Sequence, residues 1–421
     1  MLDYKIGISN LVNQAKKMKK ILLFWLLAIP FLGFTQKTTD TIHSQKLNED
    51  REISISLPYS YSKNTTKKYP LLIVLDGDYL LDPIEGALKY GAYWDDMPEV
   101  ILVGITQNQK NERESDCTID SETGLPAEKG ASFYEFLGLE LVPYIQKNYR
   151  VSPFKIIAGH DITAGFLNFY LYKDNPLFNG YISLSPELAL GMEDNIPARL
   201  SLIKQPLFYY HATADGDLKN AQKRIIKMDS IAKGIKNPNL YYRFDNFMGD
   251  SHYSLVLRAI PNALYQFFGN YQPISIPEFN EKIAVLPSGY VDYLIKKYNF
   301  IENILTIKMP IRMNDFQAIE AAILKNKAYD ELKDLSNLAS KNYPKSMLAD
   351  YELGLMNEKK EDYRNALKSY QLAYQKQEIG ILTKNMMMDK IDSLKKYVTN
   401  KKDKVEEIPA LQEAPETKKN N

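Results

Sequence analysis

A single cysteine, Cys117, is all the thiol this 421-residue chain carries. That excludes an intramolecular disulfide, and it leaves neither a cysteine cluster for zinc nor a thiol nucleophile with a histidine beside it. An excess of charge is missing as well: 53 basic against 52 acidic side chains leave a formal net charge of +1. The balance argues against a nucleic-acid groove and against a polybasic membrane surface. The apolar run Ile21 to Phe34 has only fourteen residues, short of the roughly 20 that a helix needs to cross a bilayer. No cysteine follows it, which excludes a bacterial lipoprotein anchor. No residue pattern calls for a cofactor or a metal.

What is present begins with a leader. Lys16, Lys17, Lys19 and Lys20 precede the apolar run and Thr35-Gln36-Lys37 follows it, the layout of a secretory signal over residues 1–36, with Met18 a second candidate start. Export to the periplasm or outside the cell is expected, with no stable membrane span after cleavage. Thirty tyrosines read as core and surface filler rather than a carbohydrate platform.

Beyond the leader the chain alternates strand and helix patterns. Arg51 to Leu57 alternates polar and apolar side chains like a half-buried strand. Tyr69 to Leu75, Val100 to Ile105, Ile156 to Ala158, Tyr181 to Leu184 and Leu207 to Tyr210 run apolar, as strands covered on both faces do. Helical spacing occupies Phe133 to Tyr144 and Leu218 to Ile231. This predicts an α/β fold with a mostly parallel, doubly wound sheet over 37–275 and functional loops at the carboxyl ends of its strands. Pro273, Pro277 and Pro287 punctuate an expected linker over 276–314. Helical patterns then take over in 315–397, where an offset of 34 pairs Tyr329 with Tyr363, Leu338 with Leu372, Ala339 with Ala373 and Ile319 with Leu353. That offset is the tetratricopeptide period, and it marks a small helical region that docks on the α/β domain or offers a protein partner a surface. Residues 398–421 lack periodicity and read as a disordered tail.

The centre of the chain is Ile156-Ile157-Ala158-Gly159-His160-Asp161-Ile162-Thr163-Ala164-Gly165, an apolar run broken by one polar turn and continued as a helix. Around it, stretches follow one another in a familiar order. They are Asn48 to Pro58, Tyr69 to Asp78 with its Leu-Asp-Gly, and Val103-Gly104-Ile105 with Arg113, Asp116 and Thr118. Phe136 to Arg150, Ile182-Ser183-Leu184-Ser185-Pro186 and Gly249-Asp250-Ser251-His252 complete the series. From about Ser44 to Tyr271 the chain resembles the esterase D and enterochelin-esterase-like α/β hydrolases. The resemblance implies an α/β-hydrolase sheet and a triad in the order nucleophile, carboxylate, histidine.

By that resemblance His252 takes the place of the general base. The carboxylate follows the strand ending at Tyr210, where Asp215 is preferred and Asp217 is the alternative. The oxyanion-hole donors would be the backbone N–H groups of Asp78, Tyr79 and Ile162. The nucleophile position holds Asp161 instead of serine, and the small residues expected after it are Thr163 and Ala164. Two outcomes stay open. The fold has lost serine chemistry and binds a ligand, such as a small ester-like molecule, or it is a hydrolase that uses Asp161 and His252 in an altered mechanism. Asp161 could attack an alkyl carbon, as Gly-X-Asp elbows of the superfamily do, whereas attack on a carboxylic ester would create an anhydride. Only 54 positions separate Asp161 from Asp215, too few for the helical cap that such enzymes carry. Ser183, Ser185 and Ser251 lie nearby without an elbow pattern.

Overall fold

The computed structural model describes residues 37–108 and 110–405. The expected leader over 1–36 lies outside them. Eight strands form one sheet: β1 (Lys37–Ser44), β2 (Glu49–Ser56), β3 (Tyr69–Val74), β4 (Ile101–Ile105), β5 (Val151–His160), β6 (Gly180–Leu184), β7 (Leu207–Ala214) and β8 (Leu240–Phe247). Their order is β1-β2-β4-β3-β5-β6-β7-β8. β2 runs antiparallel to β4, and the pairs from β4 to β8 are parallel. Strands covered on both faces account for the unbroken apolar runs: every residue of β3, β4, β6 and β7 is buried. β1 and β8, at the two edges, carry polar sequences such as Lys37-Thr38-Thr39-Asp40 and Asp245-Asn246. Their run of polar side chains hides them from a search for hydrophobic strands.

The pleat divides the core in two. Leu71, Ile73, Val103, Ile157, Tyr181 and Tyr209 face a layer built with Phe133, Phe136, Phe166, Met192 and Met228. Leu72, Val74, Leu102, Ile156, Ile182 and Phe208 face the opposite layer, where the helices Gly77–Tyr93 and Ser254–Phe268 pack. This second core continues without a break through Tyr290, Leu294, Ile301, Phe316 and Leu335 to Leu394. The described residues from Thr39 onward accordingly fall in one compact unit.

That continuity changes the reading of 276–314. The stretch holds the helix Tyr290–Asn303, whose buried apolar side chains belong to the core, and Pro277 sits in the first turn of the short helix Ile276–Glu278, so the stretch is packed structure rather than a free linker. Arg312 fastens the region to the sheet domain: its Nη1 donates to the Tyr271 carbonyl at 2.8 Å and its Nη2 to Asp95 Oδ1 at 3.0 Å. Four helices follow, Met313–Lys325, Glu331–Asn342, Leu348–Lys359 and Tyr363–Gln375. Ala339, Ala366, Tyr370 and Ala373 are buried among them, and Gly354 lies under the Tyr370 ring. A last helix, Lys384–Val405, extends past the boundary expected at 397, and the rest of the tail lies outside the described residues.

One group in the helical region is costly. Glu352 is fully buried and neither carboxylate oxygen has a hydrogen-bond partner. Burial, and then the charge of Glu320, push its carboxyl well above the usual carboxylate range. A folded-state value above the unfolded one favours the native state below the ordinary value of 4.5, and that contribution is lost as pH rises. Replacing Glu352 by leucine is therefore expected to stabilise the protein at neutral pH by about 1–3 kcal/mol, with a smaller gain near the ordinary carboxylate value. Thermal unfolding followed at both pH values checks this, and a lower Tm at neutral pH would refute it.

Candidate functional site

Asp161 sits between the end of β5 and the helix Ile162–Phe166, with φ 62° and ψ −121°. This is a backbone region that side-chain-bearing residues rarely occupy, and local bonds hold it there. Its N–H donates to the Leu184 carbonyl at 2.9 Å, and its own carbonyl accepts from the N–H groups of Gly165 and Glu187, each at 3.0 Å. The close approach at the back of the turn falls on Gly165: a Cβ there would stand 1.8 Å from the Glu187 carbonyl oxygen. The small residue that the sequence reading sought at 163 and 164 is thus one position further on.

Thr163 does other work. Its hydroxyl lies 2.5 Å from Asp76 Oδ2 and 2.9 Å from the His160 carbonyl, and it accepts from the His160 N–H at 3.0 Å. Asp76 is buried at the end of β3, in the left-handed conformation before the helix Gly77–Tyr93. Arg113 reaches it from the loop after β4, with Nε donating to Asp76 Oδ1 at 2.6 Å. The same guanidinium donates to the His160 carbonyl at 2.9 Å and, through Nη1, to Asp161 Oδ2 at 3.4 Å. One cation thereby ties the Asp76 turn and its own segment after β4 to the elbow.

The histidine expected as general base comes into the same cleft. His252 Nδ1 meets Asp217 Oδ1 at 2.7 Å, so Asp217 is the acid of the pair. The preferred candidate, Asp215, instead accepts the Gly249 N–H at 2.8 Å, holding the loop that leads to His252. The reason is the turn Asp215-Gly216-Asp217, where the Gly216 Cα lies against the His252 loop. A Cβ on it would stand 2.6 Å from Ser251 Cα and 2.7 Å from the His252 nitrogen. Asp217 Oδ2 also accepts from Thr213 Oγ1 at 2.6 Å, the Ala214 N–H at 2.9 Å and Ser185 Oγ at 2.9 Å. Burial alone would raise the Asp217 carboxyl, but the bonds from His252, Thr213, Ala214 and Ser185 outweigh it and hold it low. The bond to Asp217 raises His252, against burial, and the charges of Asp217 and Asp161 add to the rise.

His160, which precedes Asp161, supports this loop from beneath. Its ring lies 4.4 Å from that of His252, centre to centre. Nε2 faces the His252 carbonyl at 3.1 Å and Nδ1 faces the Tyr79 hydroxyl at 3.2 Å. A carbonyl can only accept, so the proton sits on Nε2 and Tyr79 donates to Nδ1. Burial, followed by the nearby charge of His252, lowers the His160 pKa and keeps this ring neutral.

Asp161, Asp217 and His252 line one cleft of about 560 Å³ with Ser185, Glu187, Leu188, Leu218, Arg224 and Tyr253. The oxyanion-hole residues divide. The Tyr79 N–H is occupied by the Asp76 carbonyl at 3.1 Å, in the first helical turn. The N–H groups of Asp78 and Ile162 start their helices and have no protein acceptor among the described residues. The three neighbouring serines are engaged elsewhere: Ser183 Oγ donates to the Ala164 carbonyl, Ser185 Oγ to Asp217, and Ser251 Oγ accepts from the Ser254 N–H. Among the described residues, no group of three or more histidine, cysteine or acidic side chains could hold a metal ion.

Sequence reasoning passed over Asp76, Thr163 and His160 as supports, although Arg113 belonged to a recognised segment. A buried acid beside a conformationally permissive Gly77 looked like a plain turn. Only the arrangement in space shows it holding Arg113.

The pair also sets a pH dependence. A raised His252 pKa contributes stability that is fully present below its ordinary value of 6.5 and lost as pH rises through the folded value. A lowered Asp217 pKa contributes stability that is present above 3.8 and lost as pH falls through its folded value. The Tm deficit of His252→Gln relative to the parent is therefore expected to be larger at about pH 5.5 than at about pH 8.5. Equal deficits would show that the pair is not charged in the folded protein.

The chain is similar to known proteins on the same elements. The family model described as "Putative esterase" matches residues 44–197, from the end of β1 past the elbow. A crystal structure of an uncharacterised protein from Capnocytophaga ochracea is similar over 86% of this chain and 100% of its own, at 30% identity and a TM-score of 0.79. An IroE-like serine hydrolase from Shewanella oneidensis is similar over 72% of this chain and 98% of its own, at 18% identity and a TM-score of 0.52, a likeness of fold. No curated protein matches the chain. With the hydrolase strand order, the elbow and these similarities together, the chain belongs to the esterase family of the α/β-hydrolase fold.

Proposed function

We propose that this protein is an exported ligand-binding member of the esterase family that has given up serine ester hydrolysis. The observation that carries the reading is Asp161 at the elbow, held by Arg113 and facing a cleft that keeps the His252–Asp217 pair. A serine esterase needs a hydroxyl whose proton the histidine removes and a neutral place for the developing oxyanion. Asp161 offers no such proton, and its carboxylate repels the charge that acyl transfer would build. Attack by Asp161 on an ester carbonyl would yield an anhydride, and the contact with Arg113 weakens the carboxylate as a nucleophile. Export rests on the leader over 1–36. The helical region over 315–397 is a second surface, available to a protein partner.

A second reading has its own support. The backbone of Asp161 keeps the strained elbow angles, and a histidine with an assembled acid stands in the same cleft. Attack on an alkyl carbon, followed by hydrolysis of the resulting ester with help from His252, remains chemically balanced: the leaving group departs with the bonding pair, and water restores the carboxylate.

Short-chain aryl esters distinguish these readings. The purified protein is expected to release no more chromophore than its His252→Ala variant, and rapid turnover abolished by that variant would overturn the proposal. Asp161→Ser is expected to raise turnover by about tenfold or more, because the His252–Asp217 pair lines the same cleft as the new hydroxyl. For the second reading, a single turnover of an alkyl substrate in heavy-oxygen water would label the Asp161 carboxylate. Turnover with Asp161 unlabelled would exclude it.

A further inference from the structure

The charge of the cleft narrows what it can bind. Arg113 is the cation nearest the elbow, and its charge is committed to buried Asp76 at 2.6 Å and to the His160 carbonyl. It touches Asp161 only through Oδ2, at 3.4 Å, and among the described residues Oδ1 has no protein donor. Arg224, which lines the same cleft, is likewise engaged: Nη2 donates to Glu193 Oε2 and the Ala189 carbonyl, each at 2.6 Å, and Nη1 to the Leu188 carbonyl at 2.5 Å. His252 is matched by Asp217. Glu187, on the rim, is exposed. Among the described residues, the cleft therefore presents Asp161 through Oδ1 and exposed Glu187, while Arg113, Arg224 and His252 are each engaged by protein groups.

An anionic ligand would meet this charge with no free cation to receive it, at separations where like charges in a partly desolvated cleft interact strongly. A neutral ester would leave Asp161 Oδ1 without a donor once the cleft is closed by ligand, a cost for any buried polar atom. An ammonium group supplies both the missing charge and the missing donors.

Beside Ser185 and Asn220, the lining carries three large apolar side chains, Leu188, Leu218 and Tyr253. Leu218 is 82% exposed and Tyr253 78% exposed, while Leu188 is buried beside them. Large exposed apolar side chains grouped at the mouth of a cleft signal a ligand face, and the face of a tyrosine ring attracts a cation. The volume of about 560 Å³ suits a small molecule.

We propose that the cleft takes a primary amine in its protonated form with an apolar or aromatic flank, the ammonium on Asp161 Oδ1 and the flank against Leu188, Leu218 and Tyr253. The proposal rests on the binding reading of the same cleft and names the ligand class for it.

Titration calorimetry of the purified protein with benzylamine, phenylacetate and benzyl alcohol tests it, since the three share an aromatic flank and differ in charge. Saturable binding of benzylamine is expected, with phenylacetate undetectable and benzyl alcohol at least about tenfold weaker than the amine. Asp161→Asn, which keeps the shape and tolerates the elbow backbone, is expected to weaken benzylamine by about tenfold or more. Tyr253→Ala, a change on the exposed rim, is expected to weaken benzylamine and benzyl alcohol alike. Phenylacetate binding as tightly as benzylamine, benzylamine binding unchanged in Asp161→Asn, or no saturable benzylamine binding would each overturn the proposal. These outcomes are separable from failure of the binding reading, which is decided by ester turnover: a protein that turns over no ester and prefers phenylacetate keeps the binding reading and loses the cationic ligand class.

Discussion

The contact on which the site depends is the buried ion pair between Asp76 and Arg113. Asp76 ends the central strand β3 in a left-handed turn, and Arg113 comes from the loop after β4. A buried carboxylate left alone would cost several kcal/mol, so the pair carries its own geometric demand: both side chains must be present, and both loops must close over the sheet. Once they do, the guanidinium has donors to spare. They go to the His160 carbonyl and to Asp161, so the elbow is built on the same cation that neutralises Asp76. Thr163 closes the ring by bonding Asp76 from the far side of the turn.

A second support mirrors the first. Asp217 accepts four hydrogen bonds, one from His252 and three from Thr213, Ala214 and Ser185. Those bonds orient the carboxylate before any ligand arrives, and they fix His252 by its Nδ1. His160 then joins the two halves, reaching from the elbow to the His252 carbonyl while Tyr79 sets its tautomer. Hydrogen bonds thus cross-link the cleft around His252 and Asp217. The side chain at the turn itself is a carboxylate, Asp161, and it brings charge to the cleft beside the His252–Asp217 pair.

The helical region adds to the domain rather than trailing from it. Its apolar side chains continue the core on one face of the sheet, and Arg312 locks it to Asp95 and Tyr271. Shared core gives the two regions a common stability. Buried Glu352 runs against that economy, since an acid with no partner is held in place by the packing of the surrounding helices.

Much of this was legible in the residues. Unbroken apolar runs located β3, β4, β6 and β7, because strands buried on both faces need no polar alternation. Gly-His-Asp at the end of β5 marked the elbow, and the order of flanking segments carried the family resemblance. Edge strands β1 and β8 were silent, since half their side chains meet water. The choice between Asp215 and Asp217 was also beyond the chain's local pattern: both flank Gly216, and only the approach of the His252 loop to that glycine decides which carboxylate meets the ring. By itself the sequence determined the sheet and the strand-turn-helix with Asp161 at its turn. Tertiary structure alone decided that Arg113 would be shared between Asp76 and Asp161, that the helices would merge with the core, and that Asp161 Oδ1 would face the cleft without a protein donor among the described residues. Those are outcomes of distance between residues far apart in the chain, and charge pairing is set by distance.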